Sequence, residues 1–434
     1  MKLNKPTIKK PVFTHEGGAA SRISSLQELE RTVMSCMLWE DACYENGQDI
    51  ASRISGLISK IDANKVADVA IRAREQGKLR HVPLLIVREM ARLNSHKHLV
   101  AETLERVIQR PDELTEFLAI YFKDKRQPLS NQVKKGLAAA FQKFNSYSLA
   151  KYNFDRAIKL KDVLFLCHAK PKDAEQEKLW KDLINDKLES PDTWEVALSK
   201  GGDKKSNWED LLSNNKLGAL ALLRNLRNFS EAGVNENLIK LALSKCNPEK
   251  VLPFRFISAA KFAPKLEPEL ESLMFKSLES HSKIRGKTIL LIDVSGSMRS
   301  PISSKSEMSR IDAACALAIL AREICEDVAI YTFSSKATLV PNRRGFALRD
   351  AIMRGFGGST RLRACMESIN QNEKYDSMVV FTDEQSEDGV GNFNGNGFIC
   401  NVATNKNGVA YDKAVHINGF SESSLQFISN YLGL

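Results

Sequence analysis

The spacing of apolar residues divides this chain into two parts with different periods. Before Gly286, apolar side chains recur about every three to four residues, as on one face of a helix. This pattern predicts helices over 26–34, 65–72, 82–93, 99–108, 111–121, 129–144, 174–188, 191–198, 208–212, 217–226 and 236–243. Consecutive short amphipathic helices are typical of HEAT-like helical repeats, so the front part is predicted to be all-α.

From Gly286 onward, short continuous apolar runs alternate with helical segments. Strands are predicted over 287–294, 327–333, 377–382, 397–402 and 414–417, and helices over 309–325, 346–354, 362–370 and 421–431. Runs that are apolar on both faces indicate buried parallel strands, and their alternation with helices indicates a doubly wound, Rossmann-like α/β domain. The predicted organisation is multidomain, with helical residues 1–285 followed by α/β residues 286–434.

Composition agrees with a protein that buries a core, because 43% of its 434 residues are hydrophobic and 27% are charged. No apolar run has the length of a membrane span, and the basic N-terminus lacks the apolar segment of a signal peptide. We therefore expect a cytoplasmic protein without a membrane partner. The eight scattered cysteines include no CxxC pair, which is typical of reduced thiols.

The net charge of +10 lies entirely in the front part. Residues before Gly286 carry a net charge of +11, and those from Gly286 to the end carry −1. A positive excess confined to one domain favours a polyanionic partner for that domain. Ordinary solvated helix faces are the alternative interpretation.

The most specific motif directly follows the first predicted strand. Asp293, Ser295 and Ser297 alternate there, Thr360 follows a glycine turn, and Asp383 ends the third long strand. Ligands of doubly wound sheets bind where the carboxyl ends of the strands meet. Carboxylates and hydroxyls are hard oxygen ligands, so these five residues predict a site for Mg²⁺ or another divalent cation such as Mn²⁺.

This set of residues resembles the metal-ion-dependent adhesion site of von Willebrand factor type A (VWA) domains. Ser359 competes with Thr360 for one position, and Thr360 is preferred because the family's next helix then begins at Leu362. The resemblance implies a site that binds a carboxylate of a partner protein. His416 is interpreted as a packed or capping residue, and no catalytic motif is present. The chain is therefore predicted not to be an enzyme, and a metal-dependent nuclease is disfavoured.

The helical part resembles the TROVE module of the Ro autoantigen family, in which a type A domain follows the helices. Residues 164–171, 208–212, 219–226, 251–256 and 417–421 carry this resemblance. It implies a monomeric ring of helical repeats, closed by the type A domain, that binds small noncoding Y-like RNA on its basic outer surface. It also implies binding of single-stranded ends of misfolded RNA in the central hole, a role in RNA quality control, and an exoribonuclease as partner.

The same resemblance points to particular RNA-binding residues. A Lys-Tyr pair and the histidine of a His-x-Lys-Pro motif match the family, whereas an arginine of its RNA-contacting helix falls on Asp155 here, beside Arg156. The implied residues are Lys134, Lys135, Lys151, Tyr152, Arg156, His168 and Lys170. The alternative function is a protein–protein scaffold, in which helices and metal site both bind proteins and RNA is incidental.

Overall fold

A computed structural model describes residues 11–42, 45–189, 194–199, 201–249, 251, 254–278, 283–405, 407–419 and 423–432. Residues 191–193 and 421–422 of two predicted helices, and residues 252–253 and 420–421 of the family-like stretches, lie outside them. The described residues form two compact units. The helical unit comprises Cys36–Glu40 and Asn46–Ser277, and the sheet unit comprises the described residues of Met1–Ser35, Asp41–Glu45 and Leu278–Leu434.

Within the described residues, every element before the first strand is helical, apart from turns and isolated bridges. The α-helices are α1 (Ser25–Ser35), α2 (Gly47–Ile58), α3 (Ala63–Glu75), α4 (His81–Arg92), α5 (Val100–Val107), α6 (Pro111–Tyr121), α7 (Asn131–Phe141), α8 (Ser146–Tyr152), α9 (Leu160–Cys167), α10 (Ala174–Ile184), α11 (Trp194–Ser199), α12 (Lys204–Ser213), α13 (Ala219–Arg224), α14 (Leu226–Glu231), α15 (Glu236–Lys245), α16 (Phe254–Phe262) and α17 (Glu267–Lys276). Short 3₁₀ helices cover Lys97–Leu99 and Pro264–Leu266.

Polar residues start many of these helices, and an alternating packing order holds them together. Asp62, Ser130 and Asn145 accept hydrogen bonds from backbone N–H groups at the starts of α3, α7 and α8, which satisfies donors that the first turn leaves free. Helix α4 packs on α6, α5 on α7 and α7 on α9, so each contacts the next helix but one. This order is typical of stacked helical repeats.

The sheet unit contains six strands in the order β3-β2-β1-β4-β5-β6. Its elements after the helical unit are β1 (Ile284–Asp293), α18 (Arg310–Ile324), β2 (Cys325–Phe333), β3 (Ala337–Leu339), α19 (Gly345–Met353), α20 (Leu362–Asn372), β4 (Ser377–Thr382), β5 (Asn396–Asn401), β6 (Val415–Asn418) and α21 (Ser423–Tyr431). All neighbouring strands are parallel except β2 and β3. The strand order reverses between β1 and β4, where a doubly wound fold forms its binding crevice.

Apolar side chains cover both faces of this sheet. One face packs on α20 in a buried cluster that includes Ile289, Leu291, Met366, Met378 and Val380. Helix α18 contacts β1 and β4 and is buried along nearly its whole length. Burial on both faces explains why the strands read as continuous apolar runs.

The predicted multidomain architecture, an all-α part followed by a doubly wound α/β part, is confirmed. The units differ from the predicted domains at the N-terminus, because α1 contacts β6 and belongs to the sheet unit. The single helix predicted over 217–226 is wrong: α13 and α14 meet at the buried Asn225, whose amide donates to the Ala221 carbonyl at 2.8 Å. Strand β3 was not predicted, because three residues at a sheet edge leave too short a pattern.

The structure also describes helix length and the state of the thiols. Within the described residues, no helix combines the length and the apolar character that crossing a bilayer requires. Six of the described cysteines, Cys167, Cys246, Cys315, Cys325, Cys365 and Cys400, are free thiols, and all of these but Cys246 are buried. Burial raises the pKa of the Cys325 thiol to about 11, which keeps it protonated and unreactive at neutral pH.

Candidate functional site

The first candidate site lies in the sheet unit, at the carboxyl ends of β1 and β4. Asp293 ends β1, Asp383 follows β4, and both side chains are fully buried. The Asp293 carboxylate accepts a hydrogen bond from the Ser295 N–H at 2.9 Å and another from the Thr382 hydroxyl at 2.6 Å. Each bond uses one oxygen, so lone pairs remain available on both for a further ligand.

The serines that follow β1 form the rim of this site. Ser295 is buried, whereas Ser297 is partly exposed, and their hydroxyl oxygens lie 3.4 Å apart. The chain turns here into a 3₁₀ helix over Gly296–Arg299. The alternation seen in the sequence therefore brings the two hydroxyls close together in the turn that follows Asp293.

A glycine turn carries the third segment to the same strand end. Gly357 and Gly358 have φ angles of +122° and +96°, a region that side chains disfavour, so this turn requires glycine. The Gly357 N–H donates to the Val294 carbonyl at 2.9 Å, and the Thr360 carbonyl accepts from the Glu387 N–H at 2.8 Å. These bonds tie the turn to the ends of β1 and β4.

Of the two candidate hydroxyls in this segment, Thr360 is 3% exposed and Ser359 is exposed. The buried position favours Thr360. All five predicted metal-binding residues thus belong to segments that converge at the switch in strand order. Within the described residues, no group of three His, Cys, Asp or Glu side chains is arranged to hold a metal ion. Any cation at this site would therefore depend on the hydroxyls as well as on the two carboxylates.

The electrostatics of the two buried aspartates are unbalanced. Burial, with the neighbouring Asp383 charge, raises the pKa of Asp293 to about 7. Arg310, also buried, donates from Nη1 to Asp383 Oδ2 at 2.8 Å and supplies one positive charge. Two carboxylates with one guanidinium leave a site that is short of positive charge when both carboxylates are ionised.

Sequence reasoning missed Arg310, although a local signal fixes its position. Ser309 and Asp312 form a reciprocal capping box, which starts α18 and puts Arg310 in its first turn. The partner, Asp383, is 73 residues further along the chain. A capping box predicts where a helix starts, but not which distant side chain lies beside that start.

Glu384, which follows Asp383, belongs to a second buried ion pair that the sequence did not indicate. Its Oε2 lies 2.6 Å from Nη1 of Arg31 in α1, and both side chains are 0% exposed. The same oxygen accepts from the Val409 N–H at 3.1 Å. Arg31 also donates to the Asn405 carbonyl and to the Tyr411 hydroxyl. These contacts anchor the loop after β4 and, with it, the position of Asp383.

His416 of the sheet unit packs as predicted. His416 Nε2 lies 2.8 Å from the Val409 carbonyl oxygen, and its ring stacks on Tyr411 with the ring centres 3.7 Å apart. Its side chain is 7% exposed. These contacts give His416 a packing role near Glu384.

The second candidate site lies in the helical unit and involves the predicted RNA-binding residues. Lys151 and Tyr152 end α8, which starts at the Asn145 cap. The Arg110 guanidinium lies 4.5 Å from the centre of the Tyr152 ring, and the Arg156 guanidinium lies 4.9 Å from that of Phe154. Alternating cations and rings of this kind form a basic, aromatic cluster around the end of α8.

Three carboxylates border this α8 cluster. One of them, Asp112, accepts hydrogen bonds from the Arg110 guanidinium, at 3.1 Å from Nε and 2.7 Å from Nη2. Arg156 Nη1 lies 3.4 Å from Glu116, yet the Arg156 side chain is still about half exposed, at 48%. Asp155, which stands where the related family has an arginine, pairs with Lys159 at 2.6 Å. Arg156 therefore remains about half exposed in this turn, and the Asp155 carboxylate is paired with Lys159.

The other predicted RNA-binding residues gather around α7 and α9. The Ser130 cap starts α7 and brings Lys134 and Lys135 near its first turn. His168 follows α9 with φ +54° and ψ +41°, a left-handed end that turns the chain away from the helix. The Lys170 carbonyl accepts from the Gln142 side-chain amide at 2.9 Å, which ties Lys170 to the end of α7. Lys135, His168 and Lys170 are exposed, and Lys134 is partly exposed.

Comparison with known proteins relates part of the sequence to one family and the fold to one solved structure. Residues 185–314 match the family profile of the TROVE domain. Two curated proteins named telomerase protein component 1, from Mus musculus and Rattus norvegicus, are 41% and 39% identical over 92 residues, which is 20% of this chain. The chain covers 4% of the length of these relatives. The crystal structure of the Deinococcus radiodurans Ro (Rsr) protein matches with a TM-score of 0.62 and 16% identity, over 94% of this chain and 99% of that chain.

Proposed function

Because residues 185–314 match the TROVE domain and the chain has the fold of a Ro protein, we propose that it binds RNA through its helical unit. The observation that carries this proposal is the α8 cluster, where Arg110 and Arg156 lie over Tyr152 and Phe154. Guanidinium groups bind phosphates, and aromatic rings next to them stack on bases. The net charge of +11 before Gly286 adds attraction that does not depend on RNA sequence.

The proposed ligands are small structured RNAs of the Y type and the single-stranded ends of misfolded RNAs. Lys151, Arg156 and Lys170 would contact phosphates of a stem, because point charges on a convex helix surface suit a duplex backbone. A role in RNA quality control, with an exoribonuclease as a protein partner, follows as the finer form of this proposal. In this role the protein presents RNA to an enzyme and carries out no reaction itself.

The composition of RNA that copurifies with the protein tests this function directly. After purification at low salt, we expect sequencing to find a few discrete small RNAs. A parallel preparation washed at about 1 M salt is the control, because screening at that concentration releases RNA held through phosphates. Random fragments of abundant cellular RNA in both preparations would contradict the proposal.

The proposal for the sheet unit is a site for Mg²⁺ or a similar divalent cation. The oxygens of Asp293, Ser295, Ser297, Thr360 and Asp383 suit such an ion, which prefers carboxylates and hydroxyls. The raised pKa of Asp293 supports the fit, because positive charge next to Asp293 and Asp383 would favour their ionised forms. When bound, the cation would also offer an open position to a carboxylate of a partner protein.

The pH dependence of stability tests the metal proposal. In EDTA, folded Asp293 keeps its proton up to about pH 7, whereas an unfolded aspartate loses it near pH 4. The folded state then binds more protons in this window, so the unfolding free energy contributed by Asp293 falls as pH rises from about 4 to 7. We expect Mg²⁺ to raise the midpoint of thermal unfolding most at pH 8 and least at pH 5.

The control for this experiment is Asp293→Asn, which cannot be ionised. In this variant, we expect the added Mg²⁺ to have little effect at either pH and the fall between pH 5 and 8 in EDTA to be smaller. An equal effect of Mg²⁺ on both proteins would show that the ion binds elsewhere. Circular dichroism at 222 nm reports the unfolding in each case.

A protein–protein scaffold remains the second candidate function, because Ser297 leaves the rim of the metal site partly exposed to a partner. In that case, protein partners captured by the chain persist after nuclease treatment and are lost on Asp293→Ala. RNA-dependent partners behave in the opposite way, which separates the two functions.

A further inference from the structure

An open groove in the helical unit carries a more specific inference. It lies where the segment after α6 meets α7 and α9 and has a volume of about 430 Å³. Phe122 and Arg126 line it from the segment after α6, Lys134 from α7, and Phe165 and His168 from α9 and its end. This volume is within the range of small-molecule pockets, so it is large enough for one nucleotide.

Phe165 gives the groove an exposed aromatic face. Its side chain is 58% exposed, although it lies on a helix whose Val163, Leu164 and Cys167 are buried. Singly exposed apolar residues are common on protein surfaces and do not by themselves indicate a ligand. Phe165 is distinctive because it borders a groove that is also lined by the cations Arg126 and Lys134.

The charge of the groove is of one sign. Arg126 and Lys134 both line it, and none of the described lining residues is a carboxylate. Within the described part of the chain, neither Arg126 nor Lys134 forms an ion pair with an acidic side chain. Their charges are therefore available to a ligand, in contrast to Arg156, which is held partly by Glu116.

An aromatic face in the same groove as two available cations matches the chemistry of a single-stranded nucleic acid. Each base offers a flat ring for stacking, and the phosphates on either side of it offer negative charge. A duplex stem does not fit in the same way, because its bases are stacked inside and only its backbone reaches the protein. An apolar peptide would use Phe165 but not the cations.

We propose that this groove holds one unstacked base of single-stranded RNA on Phe165, with the flanking phosphates on Arg126 and Lys134. This inference rests on the proposed RNA binding and adds Phe165 to the RNA-binding residues that the sequence implied. The groove therefore takes single-stranded ends, and the α8 cluster takes the structured part of the RNA.

The test uses the full-length protein and a single-stranded RNA of about ten nucleotides, a length typical of such sites. We expect Phe165→Ala to weaken binding by about 5- to 150-fold, the effect of losing one stacked base, and Phe165→Trp to retain it. The matched control is Phe262→Ala, because Phe262 is another exposed aromatic residue of the helical unit, 37% exposed and outside the groove. Circular dichroism confirms that each variant is folded.

Two further measurements separate stacking from charge. Phe165→Ala should leave the slope of log K against log salt unchanged, whereas Lys134→Gln should reduce it by about 0.7, the value for one phosphate of a single strand. A ten-residue abasic sugar-phosphate chain should bind wild type and Phe165→Ala equally. With 5-iodouridine in the RNA, ultraviolet crosslinking followed by mass spectrometry should identify Phe165.

Several outcomes would overturn this assignment. If wild type binds the RNA and Phe165→Ala binds it equally well, the groove does not hold a base, although the proposed RNA binding stands. If Phe262→Ala loses as much affinity as Phe165→Ala, the effect is not specific to the groove. If polyglutamate displaces the RNA and its own binding depends on Phe165, the groove takes an acidic protein segment instead. If wild type binds no RNA, both proposals fail.

Discussion

Replacing Lys151, Arg156 and Lys170 together with glutamate is expected to weaken binding of a small structured RNA by about a hundredfold or more. A hydrogen bond to a charged group contributes about 1.5–3 kcal/mol, so three lost phosphate contacts suffice for this effect. Charge reversal adds repulsion at each position. The slope of log K against log salt should also fall by about two to three units, because each phosphate contact contributes about 0.9.

Filter binding at several salt concentrations measures both quantities, and the RNA identified by copurification is the ligand. The control variant carries the same change of charge at exposed lysines of the same unit that lie outside the candidate RNA-binding residues: Lys204, Lys265 and Lys276. We expect this control to bind RNA much more tightly than the first variant at the same salt. Equal losses would show that only overall charge matters and that the assigned residues have no special role.

Loss of the buried ion pair between Arg31 and Glu384 is expected to destabilise the sheet unit by about 3–5 kcal/mol. Arg31→Met leaves the Glu384 carboxylate without its cation, and both side chains are 0% exposed, so water cannot replace the lost charge. Glu384→Gln likewise leaves the buried Arg31 guanidinium without its carboxylate partner. Either change also loosens the loop that positions Asp383, so we expect weaker Mg²⁺ stabilisation in both variants.

Urea unfolding of both single variants and of the double variant measures this coupling. The double variant should be more stable than the sum of the single losses predicts, because it leaves no buried charge unpaired. The exposed pair of Arg227 and Glu231, at 3.0 Å, is the control, and breaking it should cost about 0.5 kcal/mol or less. A loss from Arg31→Met as small as that of the control would contradict a structural role for the buried pair.

Local patterns were sufficient for most of the elements. The strand predicted over 377–382 coincides with β4, and the helix predicted over 111–121 coincides with α6. In both cases, the apolar period and a clear end signal lie within the segment itself. Helices α2, α8, α9, α14, α16 and α17 were missed. Three of them, α8, α9 and α14, have only six to eight residues, about two helical turns, which leaves a short pattern.

The candidate metal site followed from the order of strands and loops. Asp293 and Asp383 each end a buried strand, and parallel strands bring their carboxyl ends to one edge of the sheet. Their juxtaposition was therefore predictable before any distance was known. The division of the chain by charge was equally visible, because the count of lysines and arginines needs no coordinates.

The tertiary structure alone decided which distant side chains meet. Arg310 reaches Asp383 across 73 residues, and Arg31 reaches Glu384 across 353. The groove brings together Phe165 of α9, Lys134 of α7 and Arg126 of the segment between α6 and α7. The apolar periods of helices and strands, and the helix caps, can be recognised in the sequence because they depend on neighbours within a few residues. A contact between separate elements depends instead on how whole helices and strands pack, and no local pattern records that.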